Sequence, residues 1–459
     1  MGYNGAMSAH SQRSSRAGSD GDLAALEQAP YAEPAIASPS LEERSTVQAP
    51  QGTFASLHLP EYRLFFFAAL ISNSGMWMQS VAQGWLVVTL SRSEFYVGLV
   101  GFCATVPNLF LSLLGGVLAD RVDKRWLLIV SQVLLGVIAG ALGLLIFVGR
   151  IQLWHLMLLS FLSGVVGALT NPAFQAIVPE IVGKRYLMNA IALNSAQFNL
   201  TRILGPTIGG ALLNLLGTAA MYFANALSYF VFALAMYVIR PKYPPQHRAA
   251  YSEGIVNSLL AAWRYVWSHG LMRVVVLLAV VQTIFLFPYT TLLPVFAKEV
   301  LHAGAMGYSM FLTAMGVGAF IAALMLASIG DTPHKGRLMI TAQLVFAAAV
   351  MVFAVSRWLP LSMLALPFAG WGMVTYMATG NTLLQAIVTD DMRGRVMSIW
   401  VLAGLGMMPV GNLLAGALAA WLTPTIALVL GAIVTVILTL LAVRWEPAMM
   451  RPQVFTPES

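Results

Sequence analysis

A succession of apolar runs, each long enough to cross a bilayer and repeated in two halves, limits what this chain can fold into. The runs fall at about 62–90, 95–119, 126–148, 152–175, 187–215, 218–240, 271–297, 304–329, 338–357, 359–388, 396–420 and 425–444. Each meets the ~20 residues that a helix needs to cross ~30 Å of hydrocarbon. Helix is the open choice, because every N–H and C=O has to be paired within the segment. The two halves echo one another. Residues 171–180 (NPAFQAIVPE) and 381–390 (NTLLQAIVTD) agree at Asn171/Asn381, Gln175/Gln385, Ala176/Ala386, Ile177/Ile387 and Val178/Val388, with Glu180 answered by Asp390. A spacing of about 210 residues likewise carries Asp120 onto Asp331. The expected fold is all-α and integral to the membrane: twelve transmembrane helices in two six-helix pseudo-repeats.

Charge supports this reading. Only 9% of the 459 residues are charged, against roughly 25% in a soluble domain, so most of the surface has to face lipid. The formal charge of +7 then reflects basic loops rather than nucleic-acid binding. If the amino terminus is cytoplasmic, twenty of the 25 Lys and Arg lie inside, four (Arg92, Arg150, Lys298, Arg357) lie outside, and Arg202 lies within a run. Both termini are therefore expected in the cytoplasm of a bacterium, below its inner membrane. The one cysteine, Cys103, permits no intrachain disulfide, and the seven histidines show no metal-ligand pairing. No P-loop, nucleophile–base pair or metal cluster stands out, so no enzyme, cofactor or metal is expected.

The organisation expected is a disordered cytoplasmic tail over 1–58, a first bundle over 59–240, a cytoplasmic linker over 241–270, a second bundle over 271–445, and a tail over 446–459. In the linker, Ile255, Leu259, Ala262/Trp263 and Val266 recur at helical spacing. This fits an amphipathic helix on the inner membrane surface, with a plain linker as the alternative.

Residues 116–125, GVLADRVDKR, lie between the second and third runs. They resemble the signature of the major facilitator superfamily, Gly-x-Leu-Ala-Asp-Arg-x-Gly-Arg/Lys-Arg/Lys, with Asp123 standing where Gly is usual. On this resemblance Gly116 lets helices pack closely and Asp120 accepts hydrogen bonds from a neighbouring helix amino terminus. Arg121, Lys124 and Arg125 pair across the interface between halves, as a cytoplasmic gate that also includes Glu180, Asp331, Arg337, Asp390, Arg393 and Arg395. The alternative is a basic turn that only fixes topology. In the fifth run, Gly205-Pro206-Thr207-Ile208-Gly209-Gly210 resembles the Gly-Pro-x-x-Gly-Gly element of exporters in this superfamily, though packing alone also explains its small residues. With residues 171–180 and Asn189-Ala190, this element resembles the enterobactin-exporter, or transmembrane secretion effector, branch. That resemblance implies export of a bulky siderophore-like or drug-like organic molecule by a secondary transporter, acting as a monomer, with protons as the coupling ion in an antiporter.

The polar residues within the runs mark a candidate pathway. Asn73, Trp77, Ser80 and Gln83 share one face of the first run, and Gln282, Phe285 and Tyr289 one face of the seventh. Asn194, Gln197 and Asn199 add amides to the fifth run. Arg202 sits near mid-bilayer, where an arginine costs at least ~2.5–3.5 kcal/mol unless paired or hydrated. It either anchors an anionic or catechol-like group or bonds to helix carbonyls and amides. None of the 18 carboxylates sits mid-run, and the fourth run lacks the arginine common in proton antiporters of the superfamily. Coupling therefore uses end-of-run acids such as Glu61 or Glu180, or the substrate carries the proton, or no proton is coupled. An importer or facilitator of a small solute, or a membrane sensor or scaffold without transport, remains an alternative at this point.

Overall fold

The computed structural model describes residues 52–91, 93–243, 255–330 and 332–452, with backbone alone at Leu113, Asp120 and 255–259. The expected tail over 1–51, the Asp331 echo, Arg92 and the linker stretch 244–254 lie outside the described residues. Among the described residues the chain is helical, without a strand.

The long helices are α1 (Pro60–Leu90), α2 (Glu94–Arg121), α3 (Lys124–Phe147) and α4 (Leu153–Val238). After the shorter α5 (Ile255–Ser268) come α6 (Gly270–Val300), α7 (Gly304–Ile329), α8 (Lys335–Val355), α9 (Leu359–Ile387), α10 (Asp390–Trp421) and α11 (Pro424–Trp445). Among the described residues nine of these, all but α1 and α5, contain stretches long and apolar enough to cross a membrane. Helix α1 is 31 residues long but carries Asn73, Gln79 and Gln83.

A straight helix the length of α4, 86 residues, would be about 129 Å long. It breaks at Gly183 (φ 68°, ψ 175°) and Gly217 (φ 78°, ψ 178°), conformations that a side chain disfavours. At Gly183 an added Cβ would also lie 2.6 Å from Cζ of Tyr243. The limbs 153–182, 184–216 and 218–238 all reach α1. Gln83 Nε2 donates to Ser160 Oγ at 3.1 Å, Tyr62 Oη to Asn194 Oδ1 at 3.0 Å, and Asn225 Nδ2 to Gln79 Oε1 at 2.6 Å. One helix touching three limbs means that the limbs pack beside one another. Between helices in lipid, packing and such hydrogen bonds, rather than expulsion of water, supply the cohesion. The Phe65–Phe174–Phe232 triad, with centroids 5.5–5.7 Å apart, fills one end of this group.

In the second group, α6 and α10 each contain a π-helical turn two or three residues before a proline: Gln282–Leu286 before Pro288 and Leu402–Gly406 before Pro409. Proline lacks an N–H and crowds the carbonyl four residues back; the extra residue of a π-turn relieves both. The two bulges face each other, with Thr283 Oγ1 donating to the Gly404 carbonyl at 3.1 Å. Before Pro288 the helix thus carries a bulge that meets the one in α10.

Within the expected linker, residues 255–268 are helical. Helix α5 buries Ala262 and Val266, packs against α10, and leaves Trp263 and Trp267 stacked and exposed with centroids 4.5 Å apart. The tail boundary needs correction. Residues 55–58 form a 3-10 turn held by Asn189, whose Oδ1 accepts from Ser56 N at 2.9 Å and from Ser56 Oγ at 2.7 Å. Asn189 Nδ2 donates back to the Thr53 carbonyl at 2.9 Å. A polar segment docks here because one amide satisfies donors and an acceptor together. Asn189→Ala is expected to raise the rate of limited proteolysis before Pro60 severalfold, leaving cleavage elsewhere unchanged; equal rates would contradict the docking.

Candidate functional site

Arg202 lies on the middle limb of α4, about 28 Å along the helix from Gly183 and about 22 Å from Gly217. Its guanidinium stacks over the Trp77 ring, 5.4 Å from the centroid, and lies within electrostatic reach of Tyr289 on α6. Three donors, Arg202 Nε, Trp77 Nε1 and Tyr289 Oη, are buried without a hydrogen-bond partner. Gln197 Nε2 and both side-chain heteroatoms of Gln282 are buried and unsatisfied as well. Buried polar groups are normally paired, so the unsatisfied donors of Arg202, Trp77 and Tyr289, near one another, mark a place where a ligand or water completes the bonding. Phe198 packs beside Trp77 at 6.4 Å, and Tyr289 meets Phe346 edge-on at 5.5 Å.

The remaining pathway candidates divide. Asn73 and Phe285 are partly exposed, and Ser80 is exposed but bonded to its own helix at Met76 O. Gln83 and Asn194 are taken up by Ser160 and Tyr62, and Asn199 donates to Ser195 O within its helix. The structure thus gathers Arg202, Trp77 and Tyr289 at one point and assigns several amides to holding the first helix group together. An apolar groove of about 440 Å³ among Gly318, Val345, Pro367 and Trp371 has none of them in its lining.

Four hydrogen bonds between described residues join α1–α4 to α6–α11. Lys298 Nζ donates to Val88 O at 2.6 Å, Asn412 Nδ2 meets Thr105 Oγ1 at 3.4 Å, and Thr207 and Thr313 pair at 3.0 Å. The fourth runs from Ser309 Oγ to Pro206 O. Glycines set the closest approaches. A Cβ on Gly98 would lie 2.7 Å from Gly416 Cα, and one on Gly316 would lie 2.7 Å from Arg202 O. These contacts run from the level of Arg202 to the helix ends that carry Ser93, Lys298 and Trp421. Sequence reasoning missed Thr105, Lys298, Ser309 and Asn412. The spacing Gly98-x-x-Gly101, which faces Asn412 and Gly416, was the available signal.

In the exporter-type element, Gly205 approaches Trp77 Cβ (2.5 Å from an added Cβ), Gly209 approaches Met78, and Gly210 approaches Ser309. Close approach is therefore as expected, but the helix runs through Pro206 without a break.

At the opposite end, several gate expectations change. An added Cβ on Gly116 meets open space, whereas one on Gly115 would strike Ala168 O: the close-packed glycine is one residue earlier, on another face. Lys124 does not reach the second group. It is buried against Glu180, Nζ–Oε1 2.7 Å, each side chain 9% exposed. Arg125 is likewise held in the first group, with Nε donating to Met236 O at 2.9 Å and Nη2 to Tyr237 O at the end of α4. Asp123, the departure from the signature, caps α3 through Arg125 N at 2.8 Å. Arg121 and Arg337 are exposed, and Arg393 pairs with Asp390 one turn away at 2.6 Å. Arg395 feels Asp391. The Asp120 side chain and Asp331 lie outside the described residues.

A family model described as transmembrane secretion effector matches residues 51–453. The chain belongs to that family, within the major facilitator superfamily. The family is one of membrane transporters, not enzymes. Among its relatives, the staphyloferrin A transporter of Staphylococcus aureus is 26% identical over 77% of this chain and 88% of that protein. The multidrug efflux pump Tap of Mycolicibacterium fortuitum is 26% identical over 78% and 88%, and the enterobactin exporter EntS of Citrobacter koseri 28% over 80% and 86%. Among solved structures, an inward-facing bacterial homologue of the human lysosomal transporter Spinster matches with TM-score 0.66 at 13% identity, covering 86% of this chain and 98% of that one. The D-xylose–proton symporter matches with TM-score 0.65 at 15% identity, covering 87% and 98%. This secretion-effector chain is a multi-pass protein of the bacterial inner membrane with a major facilitator fold, related to siderophore and drug transporters.

Proposed function

We propose that this chain is a secondary active exporter that carries a bulky, siderophore-like or drug-like organic molecule out of the cytoplasm by alternating access. The observation that carries the reading is the arrangement around Arg202: two helix groups whose hydrogen bonds to one another, among the described residues, lie to one side of a buried set of unsatisfied donors. In this proposal α1–α4, with α4 contributing three crossings, make six, and α6–α11 make six more, as bundles over 59–240 and 271–445 joined by 241–270. Both termini are cytoplasmic, and the protein works as a monomer. The clasped end then faces outward, and the open end, with exposed Arg121, Arg337, Asp390 and Arg393, faces the cytoplasm. When that end closes, these charges and Asp120, Asp331 and Arg395 meet across the gap, while Lys124–Glu180 and Arg125 stiffen the first bundle. The relatives' names, staphyloferrin A transporter, enterobactin exporter and multidrug efflux pump, support the cargo class.

Accumulation of a panel of siderophores and drugs in cells with and without the chain tests this. At least one compound is expected to be retained severalfold less when the chain is present. Equal retention of all of them contradicts export, and greater retention marks an importer.

A further inference from the structure

Arg202 is a charge without a counter-charge. The guanidinium stays protonated in any protein setting, yet no described residue forms an ion pair with it. Its Nε is buried and unpaired. Among the described residues no carboxylate occupies the middle of a membrane-length run. The two end-of-helix acids that sequence reasoning offered for proton exchange are held by lysines: Glu180 by Lys124 and Glu61 by Lys242, each at 2.7 Å. The groups that converge with Arg202, Trp77 Nε1–H and Tyr289 Oη–H, can both donate, and both are unsatisfied. A buried cation surrounded by idle donors lacks an anionic acceptor. The fork of a guanidinium suits a planar group that offers two oxygens, such as a carboxylate or a catecholate.

From this geometry we infer that the cargo is an organic anion of single negative charge with a planar two-oxygen head, that Arg202 is its counter-charge, and that the membrane potential drives its exit without proton exchange. The inference rests on the export reading above. The loaded site is neutral and the empty site carries one positive charge, so each cycle moves one negative charge outward. A cell that is negative inside favours that direction. A potential of 100 mV corresponds to about a fifty-fold concentration ratio at equilibrium. Because the field falls across whichever end is closed, the empty carrier itself moves the Arg202 charge through the field as it switches.

The test uses the full chain in proteoliposomes, with Arg202→Gln and Arg202→Lys, each first checked to be monodisperse. The probes are hippurate and 2,3-dihydroxybenzoate, with their neutral amides as controls. A voltage jump on the empty wild type is expected to move charge; Arg202→Lys retains that signal and Arg202→Gln loses it. Both carboxylates are expected to bind Arg202→Gln at least tenfold more weakly than wild type, with amide binding unchanged. Under a potassium-diffusion potential of 100 mV and no pH gradient, labelled carboxylate accumulates on the positive side towards fifty-fold, and an imposed pH gradient without a potential gives no accumulation. Accumulation that follows a pH gradient instead, carboxylate binding that ignores Arg202→Gln, or failure of both carboxylates to bind wild type overturns the inference. Should cells show no efflux while the charge movement and anion binding hold, the export reading falls and the charge assignment stands. Should efflux stand while these arms fail, only the charge assignment falls.

Discussion

Lys124→Ala is expected to destabilise the protein by about 3–5 kcal/mol, because it leaves the Glu180 carboxylate buried with no partner. The thermal midpoint in detergent should fall by on the order of 5 °C or more. Glu180→Ala should cost a similar amount by stranding the ammonium. The double variant Lys124→Met/Glu180→Leu should recover most of the loss, since buried ion pairs often do little better than an apolar pair of the same volume. Single variants that unfold like wild type would show the pair to be solvated. The effect is local to the end of the first limb of α4, where Tyr243 N also bonds to the Glu180 carbonyl at 3.1 Å and Tyr243 packs on Gly183.

Gly98→Leu is expected to reduce transport at least tenfold while leaving insertion and thermal stability nearly intact. A Cβ at position 98 would already sit 2.5 Å from Asn412 O and 2.7 Å from Gly416 Cα, so a leucine forces α2 and α10 apart. Overpacking of this kind costs about 1–3 kcal/mol. Placed at an interface that forms in one state only, that cost shifts the balance between states by roughly 5- to 150-fold. The conformation with α2 and α10 in contact becomes scarce, and a carrier that alternates cannot complete its cycle. Undiminished transport of a compound exported by the wild type would show that this contact is not broken and remade in each cycle.

The helices were legible because apolar run length is a direct response to bilayer thickness. Their ends were less so. The run expected to stop at 175 continues as helix to 182, since Ile177, Val178, Ile181 and Val182 bury against Tyr62 and Leu128 and Glu180 finds Lys124. Nothing local announces a partner 56 residues away. Gly116 was chosen over Gly115 by its place in a motif, but one residue turns a helix by about 100°, and the neighbour, not the motif position, faces Ala168. Arg125 looked like a free gate charge because the carbonyls it caps lie 111 and 112 residues on. Arg202 was legible as an expensive residue in the wrong solvent. Its company was legible only in part: Trp77 and Tyr289 stood on stripes whose other members, Gln83 among them, serve packing instead.

Alternating access itself is tested most directly by distances at the two ends of the molecule. With Cys103 replaced by serine, spin labels at Tyr96→Cys and Trp421→Cys report the clasped end, and labels at Lys184→Cys and Arg393→Cys the other. On adding an exported compound, the first distance is expected to lengthen as the second shortens, each by several ångströms. Distances that stay fixed at both ends, or that change together in the same direction, would contradict two bundles rocking about Arg202.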